Sequence, residues 1–189
     1  MKKIFVISAF FLVFCVGQAK AAGQFTLYAG YLNPGTLNLD NVQTGLNLRG
    51  TGLYGARGEF DFLKIFGIEE NFGFSPRLLN STLFPNGTPA SDVRGFLYST
   101  NFVVNIPLSR FEPYVTAGVG LIKPWGVDFT TFDATFAGNY GGGIKLNRLI
   151  GPMGLRFDVR GWRTADIAGA GSINLFEASG GVTFTWGEH

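Results

Sequence analysis

Beyond residue 21 the chain alternates apolar and polar positions with a period of two, segment after segment. The strictest stretch is Gly154–Trp162, where Leu155, Phe157 and Val159 share one face and Arg156, Asp158 and Arg160 share the other. That period belongs to a β-strand, whose successive side chains point to opposite faces. Seven further segments repeat it. They run over about 24–32, 51–62, 68–79, 94–106, 112–123, 136–146 and 174–186. Each is near the roughly 9 to 11 residues that a tilted membrane-spanning strand needs.

The apolar faces are Phe25, Leu27, Ala29 and Tyr31 in the first segment and Tyr54, Ala56, Phe60 and Phe62 in the second. They are Phe72, Phe74 and Leu78 in the third, and Phe96, Tyr98, Phe102, Val104 and Ile106 in the fourth. The fifth presents Val115, Ala117, Val119 and Leu121, and the last Phe176, Ala178, Val182, Phe184 and Trp186. Opposite them lie polar or small residues, such as Asn139, Gly141, Gly143 and Lys145 in the sixth, where missing side chains leave room for large neighbours across a narrow interior.

The connections alternate in length. Asn33–Gly50, Asn80–Ser91, Pro124–Asp133 and Thr164–Ser172 are long and rich in turn formers, whereas Leu63–Gly67, Pro107–Phe111 and Asn147–Met153 are short. Such asymmetry is that of an outer-membrane barrel, with long loops outside and short turns and both termini in the periplasm.

The N-terminus agrees on compartment. Met1-Lys2-Lys3 is a basic start, Ile4–Val16 an apolar core too short to span, and Ala19-Lys20-Ala21 a small-x-small cleavage site, so residues 1–21 are expected to be a signal peptide and 22–189 the barrel domain. Cys15, the lone cysteine, falls inside this segment.

Removing Lys2, Lys3 and Lys20 takes the basic count from 15 to 12 against 13 acids, a net charge of about −1. No basic cluster remains, so nucleic acid is not an expected partner. No later apolar run is long enough to span as a helix, and a chain with 28 Gly and 20 Phe can cross a bilayer only as a closed barrel.

Four segments then carry a resemblance: Phe111-Glu-Pro-Tyr-Val-Thr-Ala-Gly-Val-Gly-Leu121, Gly141-Gly-Gly-Ile-Lys145, Gly154-Leu-Arg-Phe-Asp-Val-Arg160 and Asn174-Leu-Phe-Glu-Ala-Ser-Gly-Gly-Val-Thr-Phe184. They resemble the small eight-stranded outer-membrane β-barrel family that includes the OmpA transmembrane domain. The likeness extends over the mature chain and is most specific in its C-terminal half. It implies an eight-stranded antiparallel up-and-down transmembrane barrel, monomeric, inserted by the barrel-assembly machinery and in contact with outer-membrane lipid and lipopolysaccharide. It implies no single activity, because the family has porin-like, adhesive, structural and enzymatic members. Gly187, Glu188 and His189 follow Trp186, where family members commonly end on the aromatic residue.

On this architecture ten charges are expected inside: Arg57, Arg77, Lys145, Arg156 and Arg160 against Glu59, Asp61, Glu69, Asp158 and Glu177. In so narrow a lumen, unpaired charges are costly, and a paired network that closes the barrel is the expectation. Tyr31, Tyr54, Phe96 and Phe176 at one end, and Phe60, Phe62, Phe184 and Trp186 at the other, read as interfacial girdles.

Chemistry is thin. The only histidine, His189, is terminal, so no Ser–His pair is available and catalysis is not expected. No metal or other cofactor is expected either; Asp128 and Asp133 read as a solvated loop. Three classes stay open: a structural or surface-display component, a narrow channel or lateral-transfer barrel for small apolar solutes, and a soluble lipocalin-like barrel with its apolar face inward. The transfer reading is motivated by Leu83, Phe84, Leu121, Ile122, Trp125, Phe129 and Phe132 in or beside the loops.

Overall fold

The computed structural model of the chain describes residues 22–34, 50–62, 64–79, 93–125, 134–166 and 172–187. Eight strands follow one another: β1 (Ala22–Pro34), β2 (Thr51–Phe62), β3 (Phe66–Leu79), β4 (Val93–Asn105), β5 (Phe111–Trp125), β6 (Thr135–Ile150), β7 (Met153–Asp166) and β8 (Ser172–Trp186). Each pairs antiparallel with the next, and β1 pairs with β8, so the sheet closes into the expected up-and-down barrel. Closure leaves no unpaired strand edge, which is what lets a sheet exist in hydrocarbon.

The strands reach further than the sequence pattern suggests. β6 continues to Ile150 and β7 begins at Met153, so the connection expected over Asn147–Met153 contracts to a tight turn at Gly151 and Pro152. Gly151 takes φ +60°, a backbone conformation that a side chain disfavours. The segment read as a signal peptide and most of the four long connections lie outside the described residues.

Leu27, Phe60, Val115, Phe157 and Phe176 stand exposed on the outside, while their polar sequence neighbours are buried inside. That orientation excludes the lipocalin-like alternative, which needs the apolar face inward. One lipid-side position is ionisable in mid-strand: Glu70 faces out and accepts bonds from the Thr100 hydroxyl at 3.0 and 3.1 Å.

β3 departs from regular alternation. Its pairing with β4 runs evenly from Phe66↔Val104 to Ser75↔Gly95, then jumps to Leu79↔Val93. Pro76, at the break, has no N–H to give to the ladder, and a bulge absorbs it. The bulge resets which side chains point inward. Ser75 and Leu78 are buried and Arg77 is exposed, so Arg77 is not an interior charge and Leu78 not an exterior contact, the reverse of the sequence expectation.

Leu78 thereby joins a ring to which every strand contributes one residue near its long-connection end: Leu32, Leu53, Leu78, Leu97, Ile122, Ala137, Trp162 and Leu175. Tyr28 belongs to the same cluster. The remainder of the barrel interior, toward the short turns, is mostly polar, with Ala22, Val103 and Tyr114 as the buried exceptions among the described residues.

Candidate functional site

Three strands supply most of the interior charge. β2 points Arg57, Glu59 and Asp61 inward, β7 points Arg156, Asp158 and Arg160 inward, and β3 adds Glu69. Alternation alone puts them there, since within each strand they are two residues apart. Lys145 enters from β6, Glu177 from β8 and Glu112 from β5. Among the described residues, the buried charged side chains are these four cations and six anions, rather than the five of each expected from sequence.

The cations are hydrogen-bonded on nearly all sides. Arg57 donates from Nη1 to Asp158 Oδ2 at 2.8 Å, from Nε to Asn71 Oδ1 at 3.1 Å, and from Nη2 to Glu177 and to Ser179 Oγ at 3.2 Å. Arg156 reaches Glu59 at 3.1 Å, Asp158 at 3.2 Å, the Tyr114 hydroxyl at 3.1 Å, and Glu69. Arg160 grips Glu69 with both terminal nitrogens, at 2.7 and 3.1 Å, and Asp158 at 2.8 Å. Lys145 spends its three protons on Glu59 at 2.6 Å, Asn105 at 2.8 Å and Glu112 at 3.1 Å.

Two tyrosines act as platforms within the network. The Arg57 guanidinium lies 3.8 Å from the centre of the Tyr28 ring, and Arg156 and Lys145 lie 4.6 and 4.9 Å from that of Tyr114. The Tyr114 hydroxyl also donates to Asp158. At the upper edge Trp162 Nε1 donates to Glu177 Oε2 at 3.0 Å, joining the apolar ring to the charges. By sealing water from one side, that ring lowers the effective dielectric and strengthens each charged hydrogen bond below it.

Asp61 accepts from Asn105 Nδ2 at 2.9 Å, and that same amide donates to Glu59 at 3.0 Å. The structure therefore brings together Arg57, Glu59, Asp61, Glu69, Lys145, Arg156, Asp158, Arg160 and Glu177, and leaves Arg77 outside. Sequence reasoning passed over Glu112, Asn71, Asn101, Asn105 and the apolar ring. Their signal was present for all but Leu78, which the bulge displaces, because each of the others keeps the inward parity of its strand; only their lack of conspicuous charge pairing hid them.

Of the expected girdle residues, Tyr31, Tyr54, Phe60, Phe62, Phe176, Phe184 and Trp186 are exposed on the outer surface and Phe96 is half-buried there. At the short-turn end they form ring contacts: Phe60 meets Trp186 edge-on at 6.4 Å between ring centres, and Phe62 packs at a tilt on Phe66 and Phe102. Near the other end Phe72 packs on Phe96 at 6.3 Å and Tyr98 at 5.1 Å. Of the apolar residues at the loops, Ile122 turns inward into the ring, whereas Leu83, Phe84, Phe129 and Phe132 lie outside the described residues, as do Asp128 and Asp133. Among the described residues no group of three or more His, Cys, Asp or Glu side chains is placed to hold a metal ion.

Comparison with known proteins follows the same lines. Residues 6–184 match the model of the outer membrane protein beta-barrel domain. No curated protein sequence matches the chain. Among solved structures it resembles Neisserial surface protein A, with a TM-score of 0.66 at 10% identity over 88% of this chain and 97% of that one. It also resembles the N-terminal β-barrel domain of Pseudomonas aeruginosa OprF, with 0.59 at 14% identity over 87% and 97%. Pseudomonas aeruginosa OprG gives 0.53 at 13% identity over 89% and 98%. At such identities these likenesses speak to the fold.

Proposed function

Since this chain belongs to the family of outer membrane protein β-barrel domains, we propose that it is a monomeric structural or surface-display component of the outer membrane whose lumen is held shut by its interior charges. The single observation that carries this reading is the cross-lumen network, in which Arg57, Arg156, Arg160 and Lys145 are tied to Glu59, Glu69, Glu112, Asp158 and Glu177 by ion pairs between buried side chains. A continuous water path requires separating several of them, and removing one partner of a buried pair costs about 3–5 kcal/mol. In this reading the long connections face outward, the short turns and both ends face the periplasm, and residues 1–21 are removed before the barrel-assembly machinery inserts the chain. The aromatic bands support contact with outer-membrane lipid and lipopolysaccharide. Recording from the purified protein in planar bilayers tests it: sparse, small or absent currents are expected, and steady, large conductance overturns it.

One observation favours a second reading. The apolar ring meets the β3 bulge at Leu78, where pairing with β4 is interrupted, and that is the place for a small apolar solute to pass sideways between interior and lipid. Uptake of a small apolar dye into proteoliposomes, no faster than into protein-free liposomes, removes this reading.

A further inference from the structure

At the short-turn end the barrel opens into a cavity of about 710 Å³, whose lining includes Lys64, Arg110, Glu112, Asn147, Arg148 and Thr185. Its volume falls within the roughly 300–1,000 Å³ of small-molecule sites. Each short turn delivers one cation to it: Lys64 after β2, Arg110 before β5 and Arg148 at the β6 end. Neither Lys64 nor Arg110 is in an ion pair among the described residues.

The rim is braced. Asn147 N donates to Arg110 O at 2.8 Å, Thr185 N to Pro152 O at 2.9 Å, and Arg148 Nη2 to Gly187 O at 2.6 Å. The one acid on the lining is already neutralised, because Glu112 accepts from Lys145 at 3.1 Å and from Asn147 Nδ2 at 3.0 Å. Two lining side chains, each more than nine-tenths buried, carry polar atoms without a partner among the described residues: Thr185 Oγ1 and Asn147 Oδ1. Buried polar atoms of this kind are ordinarily satisfied. Three cations ask for an anion, the threonine hydroxyl can donate to it, and the asparagine oxygen asks for a proton in return.

We propose that this vestibule binds a phosphate monoester or hydrogenphosphate, an anion that carries its own O–H donor. Lys64, Arg110 and Arg148 hold the charge, Thr185 donates to a phosphoryl oxygen, and Asn147 Oδ1 accepts the phosphate proton. The network beyond Glu112 keeps the ligand from passing into the lumen, so the site captures its ligand at the barrel mouth. Its periplasmic location rests on the orientation proposed above; its chemistry does not.

Titration calorimetry on the full chain in an uncharged maltoside detergent tests the site, with inorganic phosphate, glycerol 3-phosphate and sulfate at constant ionic strength. Both phosphates are expected to bind saturably, and sulfate, which brings no proton for Asn147, about tenfold more weakly. The Lys64→Gln/Arg110→Gln double variant is expected to weaken phosphate binding by at least about tenfold while keeping the heat-modifiable gel mobility of a folded barrel. Equal affinity in parent and variant, or equal affinity for phosphate and sulfate, overturns the proposal. In nanodiscs, weaker glycerol 3-phosphate binding with phosphatidylglycerol than with phosphatidylcholine alone assigns the same chemistry to a lipid headgroup; unchanged binding assigns it to a free ester. Labelling of Lys64 in intact cells by an impermeant amine reagent reports the orientation separately.

Discussion

Arg160 Nη1 on β7 donates to Glu69 Oε1 on β3 at 2.7 Å, although four strand positions separate these strands, the widest separation an eight-membered ring allows. The contact therefore crosses the full lumen. Glu69 holds Arg160 through both oxygens and Arg156 as well, so a single carboxylate from β3 anchors two guanidiniums of the strand whose sequence alternates most strictly.

Glu69→Ala is expected to destabilise the barrel by about 3–5 kcal/mol, since it leaves two buried guanidiniums short of charge. Urea unfolding in phospholipid vesicles measures this. A change below about 1 kcal/mol would show that water or the remaining acids replace the lost carboxylate.

The neighbouring acid should behave in the opposite sense. Glu70 faces outward between aromatic bands and accepts from the Thr100 hydroxyl. Because a charge on the lipid side opposes insertion, Glu70→Leu is expected to stabilise the protein by roughly 1 kcal/mol. Loss of stability in the same unfolding experiment would mean that this face does not meet lipid.

Packing of the interior depends on a glycine. A Cβ at Gly143 would stand 2.7 Å from the Tyr114 hydroxyl and would also collide with the Phe157 carbonyl, whereas nothing lies within 4 Å of a Cβ at Gly138. Gly143→Ala should cost about 1–3 kcal/mol and Gly138→Ala should be close to neutral. Comparable losses at both positions would refute the account of the glycine face as space for Tyr114.

In the apolar ring, Leu97→Ala is expected to cost about 2–5 kcal/mol through lost burial and the cavity left behind. Trp162→Phe keeps most of the volume but leaves Glu177 Oε2 without its indole donor, a loss of about 1–3 kcal/mol. Thermal gel-shift midpoints rank the two.

The β3 bulge separates two arginines that alternation alone makes equivalent. Arg77→Leu is expected to change stability by less than about 0.5 kcal/mol, as surface changes do, while Arg160→Leu should cost several-fold more. Equal effects would return Arg77 to the interior.

Much of this could be read from the chain. The strand at Gly154–Trp162, the inward set Arg57, Glu59 and Asp61, and the glycines facing Tyr114 all follow from parity, because a strand has only two faces and each residue's face is set by its neighbours'. Glu112 obeyed the same parity without standing out, since nothing local shows that Lys145 lies across from it. Arg77 failed for a definite reason: parity carries through a regular ladder, and Pro76 interrupts the ladder.

The amino-acid sequence by itself determined that there are eight strands, where they run, that they close, and which face of most strands meets lipid, because these depend on period, segment length and the alternation of short and long connections. Tertiary structure alone decided which charge meets which, where the interior changes from apolar to charged, and on which side Arg77 falls. Pairing across a lumen depends on strand register and closure, which relate residues as remote in sequence as Arg57 and Asp158. Local periodicity contains no term for such a distance.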